Sequence, residues 1–294
     1  MRAIDLHVHL PTDEWLEQAI GPHLAATEAY FRAKVQRRTI EEVAEEYRAR
    51  DILGVVLDWD DRSVTGRGWL GNDWLAGLAD RFPGALLGFG SVDPHAPGAV
   101  EELRRCRELG LPGLKFHPTM QRFDPADERF SPLWEAAEEL GLVCLFHTGT
   151  CGISAGTPGA AGTKIRSSHP GFLDSIGADF PGLTLIAAHF GWPWFLECLA
   201  IALHKSNVFI ELSGWAPRYL PPEVKREIGR RLSGQTLFGS DYPFISLDRW
   251  FAEFDELDLG ADAREAILLG NAARVLGPSA VPGRRPEPPP PRPS

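Results

Sequence analysis

This chain is poor in the features that mark several large protein classes. Its four cysteines (Cys106, Cys144, Cys151, Cys198) are scattered and form no C-x-x-C pair, so a zinc knuckle and a thioredoxin-like motif are both absent. Cys144 falls in an apolar run and Cys106 and Cys198 in helical stretches, which suits reduced thiols in a cytoplasmic protein. Basic charge is in deficit: the net charge is −10 and the pI about 5.4, which argues against a nucleic-acid partner. No apolar stretch approaches the roughly 18 residues of a membrane span. The N-terminus shows no basic segment followed by an apolar one, so no secretory signal is expected. No glycine-rich fingerprint follows the first apolar run, which weakens an open dinucleotide-binding sheet.

What the chain does have is short apolar runs that end on imidazoles. AIDLHVHL ends on His7 and His9, LVCLFHTG on His147, LTLIAAHFG on His189, and TLFGSDYP delivers Asp241. Hydrophobic residues make up 44% of the 294, enough for a sizeable core. Strands are predicted at 2–9, 52–58, 86–92, 112–117, 142–148, 183–189, 207–213 and 236–240. Helices alternate with them at about 39–50, 71–81, 97–110, 131–140, 170–180, 193–204 and 222–233. In the segment 131–140, Ser131 is expected as N-cap and Pro132 at the first helical position. Eight nearly uniform apolar strands alternating with helices predict a (β/α)8 barrel over residues 1–277, closed by helices near 248–258 and 261–276. The Pro-rich tail 278–294 is expected to be disordered. Loops of about 29 residues (10–38) and 20 residues (149–168) follow the first and fifth strands, on the face where barrel active sites lie.

Imidazole and carboxylate at successive strand ends are the ligand types of a catalytic divalent metal site. By strand alternation Asp5, His7 and His9 share one face, with Asp5 a step deeper as an orienting partner or a plain core hydrogen-bonding group. His7, His9, His147 and Asp241 form the expected ligand set. His189 is expected to move protons, with ligation as the alternative, and Asp241 to shuttle a proton besides binding. Lys115 and His117 share a face of the fourth strand. Three roles stay open for Lys115: carboxylation to bridge two metals, capture of a substrate anion, or pairing with a core carboxylate. His117 is expected in the site wall as a hydrogen-bonding residue, with a metal-linked role as the alternative. Lys164 and Arg166 in the fifth loop, and Trp215 with Arg218 after the seventh strand, are expected to clamp an anionic substrate and stack on its ring. Of Trp192 and Trp194, one is expected to line the pocket and the other to pack.

AIDLHVHL, GLKFHP, LFHTG, AHFGW, LFGSDYPF and ILLGNAARVLG together resemble the amidohydrolase-related family, the group containing the aminocarboxymuconate semialdehyde and γ-resorcylate decarboxylases. The likeness runs from residue 2 to about 276. It implies a distorted (β/α)8 TIM barrel with one catalytic divalent metal, zinc in many members and manganese in some, and barrels that often dimerise. It assigns His7, His9, His147 and Asp241 as ligands and His189 as the catalytic histidine. The stretch from Lys164 to Arg218 is similar to a subgroup of hydrolases acting on 4-hydroxyphenyl-β-ketoacyl thioesters of coenzyme A. The first strand carries the aspartate-type motif and not the glutamate variant of several decarboxylases. The expectation is therefore a hydrolase in which metal-activated water attacks a carbonyl of a small aromatic or carboxylated substrate, breaking a C–N or C–C bond. Non-oxidative decarboxylation is the alternative. An inactive barrel used for binding would need a broken ligand set, and none of the five positions is broken.

Overall fold

The computed structural model describes residues 1–277, so the expectation of a disordered tail at 278–294 lies outside the described residues. Eight parallel strands run in chain order: β1 (Ala3–Val8), β2 (Ile52–Val56), β3 (Leu86–Gly88), β4 (Gly113–Phe116), β5 (Val143–Phe146), β6 (Thr184–Ala187), β7 (Val208–Glu211) and β8 (Thr236–Leu237). Strands β1 to β3 form one ladder and β4 to β8 another. Single bridges join them, Gly90 to Leu114 and Val8 to Tyr242, and close the ring. The predicted β3 and β8 are longer than the observed ones because the chain leaves the ladder early at both seams.

The barrel lumen is filled by Ile4, Leu6, Val55, Leu145, Ile186 and Phe209 with their neighbours, and Ala272 and Leu276 of the last helix plug its base. A second cluster, including Val8, Val43, Leu103, Trp134 and Trp250, packs the outer helices onto the ring. Helices fall near their predicted places, with local corrections. The segment 71–81 is two short helices, Asn72–Ala76 and Leu78–Arg81, separated by Gly77. Ser131 does not cap its helix: the preceding turn Glu128–Phe130 runs straight into Ser131–Glu139, so Ser131 is already helical. The region 10–38 is largely helical, with Asp13–Gln18 capped by the Thr12 side chain and Leu24–Phe31 behind it. Among the described residues no helix is long and apolar enough to cross a membrane.

One irregularity shapes everything above the lumen. Strand β1 spends one more residue than β2 between Asp5 and Val8, a β-bulge. Ile4 and Leu6 both pack in the lumen, yet Val8 packs outside, so the alternation changes phase within the bulge. Asp5 consequently does not share a face with His7 and His9. Its carboxylate faces the outer helix Ile40–Ala49, where it accepts from the Tyr47 hydroxyl at 2.9 Å. Gly54, paired with Asp5 on β2, leaves room for that tyrosine, since a Cβ there would lie 2.8 Å from the ring.

Candidate metal centre and active site

The C-terminal ends of the strands surround a cavity of ≈ 600 Å³. His7, His9, Lys115, His117, His147, His189 and Asp241 all line it, as do Trp192 and Trp215. Three of the four expected ligands converge tightly: Asp241 Oδ1 lies 3.6 Å from His7 Nε2 and 3.7 Å from His9 Nε2. Both imidazoles commit their other nitrogen elsewhere. His9 Nδ1 bonds the Leu57 carbonyl at 3.1 Å, and His7 Nδ1 bonds Glu211 Oε2 at 3.1 Å. Those acceptors hold the proton on Nδ1 and leave the Nε2 lone pairs aimed at the aspartate, the arrangement of a metal-ligating histidine with its supporting partner.

His147 falls outside that trio. Its ring stacks on His117 at 3.9 Å between centroids, and its Nε2 faces the Thr150 carbonyl at 3.1 Å. Its Nδ1 lies 3.1 Å from His189 Nε2. His189 Nδ1 in turn meets Ser213 Oγ at 2.8 Å, and that hydroxyl donates to Glu211 Oε2 at 2.6 Å. With the Ser213 proton given to Glu211, His189 carries its own on Nδ1. Lone pairs of His189 and His147 then face one another, a pairing that one electrophile, a proton or a cation, must satisfy.

Special backbone makes this convergence. His189 and Phe190 have φ of 58° and 40°, and Asp241 has φ of 64°. Such left-handed residues cost on the order of 1–3 kcal/mol each and persist where the surroundings over-determine them. They turn the side chains off the strand ends into the cavity. Asp5 pins the result, accepting from the main-chain N–H of His7 at 3.1 Å and of Ser240 at 2.8 Å. It therefore steadies both ligand-bearing segments through their backbones and touches neither ring.

Burial pushes the whole site toward neutral forms. Desolvation raises Asp241 to about 7, opposed by Lys115, and raises Glu211 to about 8, opposed by its Ser213 bonds. Desolvation, then Lys115, lowers His9 and His189 to about 3. His7 and His147 are held well below the usual histidine range, again chiefly by burial. Lys115 is itself lowered to about 8 by desolvation, against the pull of Asp241 and Glu211. Neutral imidazoles beside carboxylates are the form a divalent first-row ion takes up, so the donor set fits the implied metal.

The expected clamps do not reach the cavity. Lys164 and Arg166 are exposed on the fifth loop, and Arg218 is exposed, its backbone N–H bonded to Glu253. The 3-10 turns Pro158–Gly162 and Ile165–Ser168 carry the loop charges outward. Trp192 lies 4.6 Å from Trp215 at the mouth, whereas Trp194 packs on His169. Trp15, Trp59, Tyr30, Phe31 and Phe244 complete an aromatic wall that pattern reading did not anticipate, most of it from the region 10–38. Glu211 and Ser213 were missed too. The available signal was a lone carboxylate at the end of the apolar run NVFIEL. Gly239 is the complement of Glu211, because a Cβ there would lie 1.7 Å from Glu211 Oε1.

A family model described as Amidohydrolase matches residues 4–277. The chain belongs to the amidohydrolase family. Its superfamily comprises metal-dependent enzymes that use a divalent ion. In sequence the chain is 32% identical over 78 residues to the 2-amino-3-carboxymuconate-6-semialdehyde decarboxylase of Dictyostelium discoideum. That match spans 26% of this chain and only 22% of the relative. Among solved structures, an uncharacterized TIM-barrel protein of Bordetella bronchiseptica superimposes with a TM-score of 0.77 at 23% identity, covering 94% of this chain and 98% of its own. A dihydroxybenzoic acid decarboxylase of Polaromonas, solved with manganese and 2-nitroresorcinol, gives 0.68 at 17% identity, covering 95% and 97%. At these identities the structural likeness establishes the TIM-barrel fold.

Proposed function

We propose that this amidohydrolase-family enzyme catalyses the non-oxidative decarboxylation of a small planar carboxylate, aromatic or dienoic. The observation that carries the reading is the character of the cavity: aromatic walls around Lys115, a buried ammonium with no carboxylate within ion-pair distance among the described residues. A buried cation without a counter-ion is costly, and an anionic substrate relieves that cost. The decarboxylase relative in sequence supports the same direction.

His7, His9 and Asp241, with His147 beside them, would hold a divalent ion, zinc or manganese, which would supply Lewis-acid polarisation of substrate oxygens. The protein's own part is positioning and proton transfer. Trp192 and Trp215 hold the ring by stacking, and Lys115 draws the carboxylate to the cavity floor. Departure of carbon dioxide leaves its bonding electrons on carbon, which must gain a proton. His189 would give that proton from Nε2 in the opposite tautomer to the one described above, reached when a protonated Glu211 donates to Ser213 and the Ser213 hydroxyl donates to Nδ1; Glu211 then regains its proton from solvent.

Hydrolysis of an amide, lactone or β-ketone is the second reading, favoured by the aspartate-type first strand. There His189 or Asp241 would accept the proton of the attacking water. One experiment separates them. The metal-loaded protein is incubated in ¹⁸O-water with carboxyl-labelled hydroxybenzoates, lactones and β-keto thioesters. Release of labelled carbon dioxide without ¹⁸O in the organic product supports decarboxylation; ¹⁸O in a product carboxyl group sinks it in favour of hydrolysis.

A further inference from the structure

Beside the mouth of the cavity lies a second pocket, of ≈ 550 Å³, which the chemistry above does not use. His23, Thr65, Arg67, Met120, Arg122 and Thr163 contribute to its lining. It is built from four excursions at the strand ends: the helical region after β1, the loop after β2 that carries Thr65 and Arg67, the turn after β4 that carries Met120 and Arg122, and the loop after β5; the first and last also wall the catalytic cavity. His23 Nδ1 and Ser154 Oγ, 2.9 Å apart, tie these together. Met120 packs in one apolar cluster with Trp59 and Cys151, both of which line the catalytic cavity, so the two spaces share a wall.

The charge here is opposite to that of the chain as a whole. The chain is at −10, yet among the described residues no carboxylate lines the pocket and two guanidiniums do, beside the His23 imidazole, which burial and Arg67 hold toward its neutral form. Arg122 is exposed and, among the described residues, has no ion-pair partner; its guanidinium lies beside Gly162. Arg67 is half-buried. Its one carboxylate contact among the described residues is Asp61 Oδ2 at 3.5 Å, an oxygen that Trp59 Nε1 already approaches at 3.3 Å. Arg67 Nε is buried with no acceptor at all. Arg67 keeps 19% of its side chain exposed, and a bound anion gives that weakly paired guanidinium the acceptor it lacks. Two guanidiniums from separate elements facing one space suit a tetrahedral, multiply accepting dianion better than a carboxylate, which one fork would satisfy.

We propose that this pocket binds a phosphate group. Two sources share that chemistry: free inorganic phosphate, or the phosphorylated tail of a substrate whose reacting end occupies the neighbouring cavity. Only the second source rests on the function proposed above.

The test is calorimetric titration of the metal-loaded protein with inorganic phosphate at low salt, beside an Arg67→Gln/Arg122→Gln double variant of equal metal content and melting temperature. Saturable binding that weakens by about ten-fold or more in the double variant is expected, with Arg122→Lys retaining most of it. Absence of binding overturns the proposal. So does equal binding by wild type and double variant, which would put the anion on the metal centre. A benzoate bearing phosphate on a flexible alkyl tether identifies the source. If it binds about ten-fold tighter than phosphate and loses that advantage in the double variant, the anion is a substrate tail. If the two bind alike, free phosphate is the occupant. None of these readouts requires turnover, so failure of the decarboxylase reading would leave them intact.

Discussion

Glu211→Gln is the substitution that tests the site most sharply, because the two side chains differ by one atom type. Glu211 Oε1 accepts from the Ser213 main-chain N–H at 2.6 Å, so the glutamine carbonyl must take that position. Its amide nitrogen then replaces Oε2, facing His7 Nδ1 and Ser213 Oγ where the carboxylate had been the acceptor. An amide N–H cannot accept the Nδ1 proton of His7. The imidazole must either turn its Nδ1 proton to the Ser213 hydroxyl, 3.0 Å away, or change tautomer and place it on Nε2, the nitrogen turned toward Asp241; either way the carboxylate support is lost. Loss of a supporting partner of this type costs about 10–100-fold in metal affinity, equivalent to about 1.4–2.7 kcal/mol. The assay is competition of purified protein against a chelator of known affinity, with metal per chain measured directly. The melting temperature of the chelated protein should change little, because volume and packing are kept. Metal affinity within about two-fold of wild type would refute Glu211 as the partner that supports His7 and leave that part to the Ser213 hydroxyl.

Other substitutions probe separate parts of the reasoning. Gly239→Ala would drive a methyl into Glu211 and against His7, at a cost of about 3 kcal/mol; a drop of roughly 6–10 °C in melting temperature is expected, and an unchanged value would mean that Glu211 is not seated over Gly239. His189→Ala should keep its metal and lose about 10²–10⁴ in turnover, whereas a metal-free variant would make His189 a ligand. Asp58 is buried away from the ligands, and desolvation raises it from 3.8 to about 7. Its folded form therefore binds more protons than the unfolded chain between these values, so its contribution to stability is present below about pH 4 and lost as pH rises through 7, at most about 4 kcal/mol. Asp58→Asn, which still accepts from the Leu70 N–H, should gain stability over wild type at pH 8 and much less at pH 5; equal differences at both would refute the shift. Tyr47→Phe removes one hydroxyl from Asp5 and should cost about 1 kcal/mol or more in chemical unfolding, with no effect if the Asp5 anchor is already saturated by Ser240 and His7.

The barrel and the identity of the strand-end groups are legible in the amino-acid order alone. Period and composition decide both: an apolar run buried on two faces can only be an inner strand, and the residue that ends it must lie at one rim of the ring. His7, His9, His147, His189 and Asp241 were legible for that reason. Strict alternation failed at Asp5, because a bulge is one inserted residue and leaves no compositional mark in AIDLHVHL. It could not separate His147 from the His7, His9 and Asp241 trio either. That separation depends on left-handed turns at His189 and Asp241 and on a ring stack with His117. Lys164, Arg166 and Arg218 looked like clamps because they are basic and near the right strands, but loop charges are solvated unless some long-range contact turns them inward. Glu211 and its glycine partner Gly239, and Arg67 with Arg122, are far apart in the chain. The pairing register of β7 with β8 seats Glu211 over Gly239, and the joining of the two ladders at Gly90 and Leu114 brings the loops after β2 and β4 together; neither register nor seam is written in the local sequence.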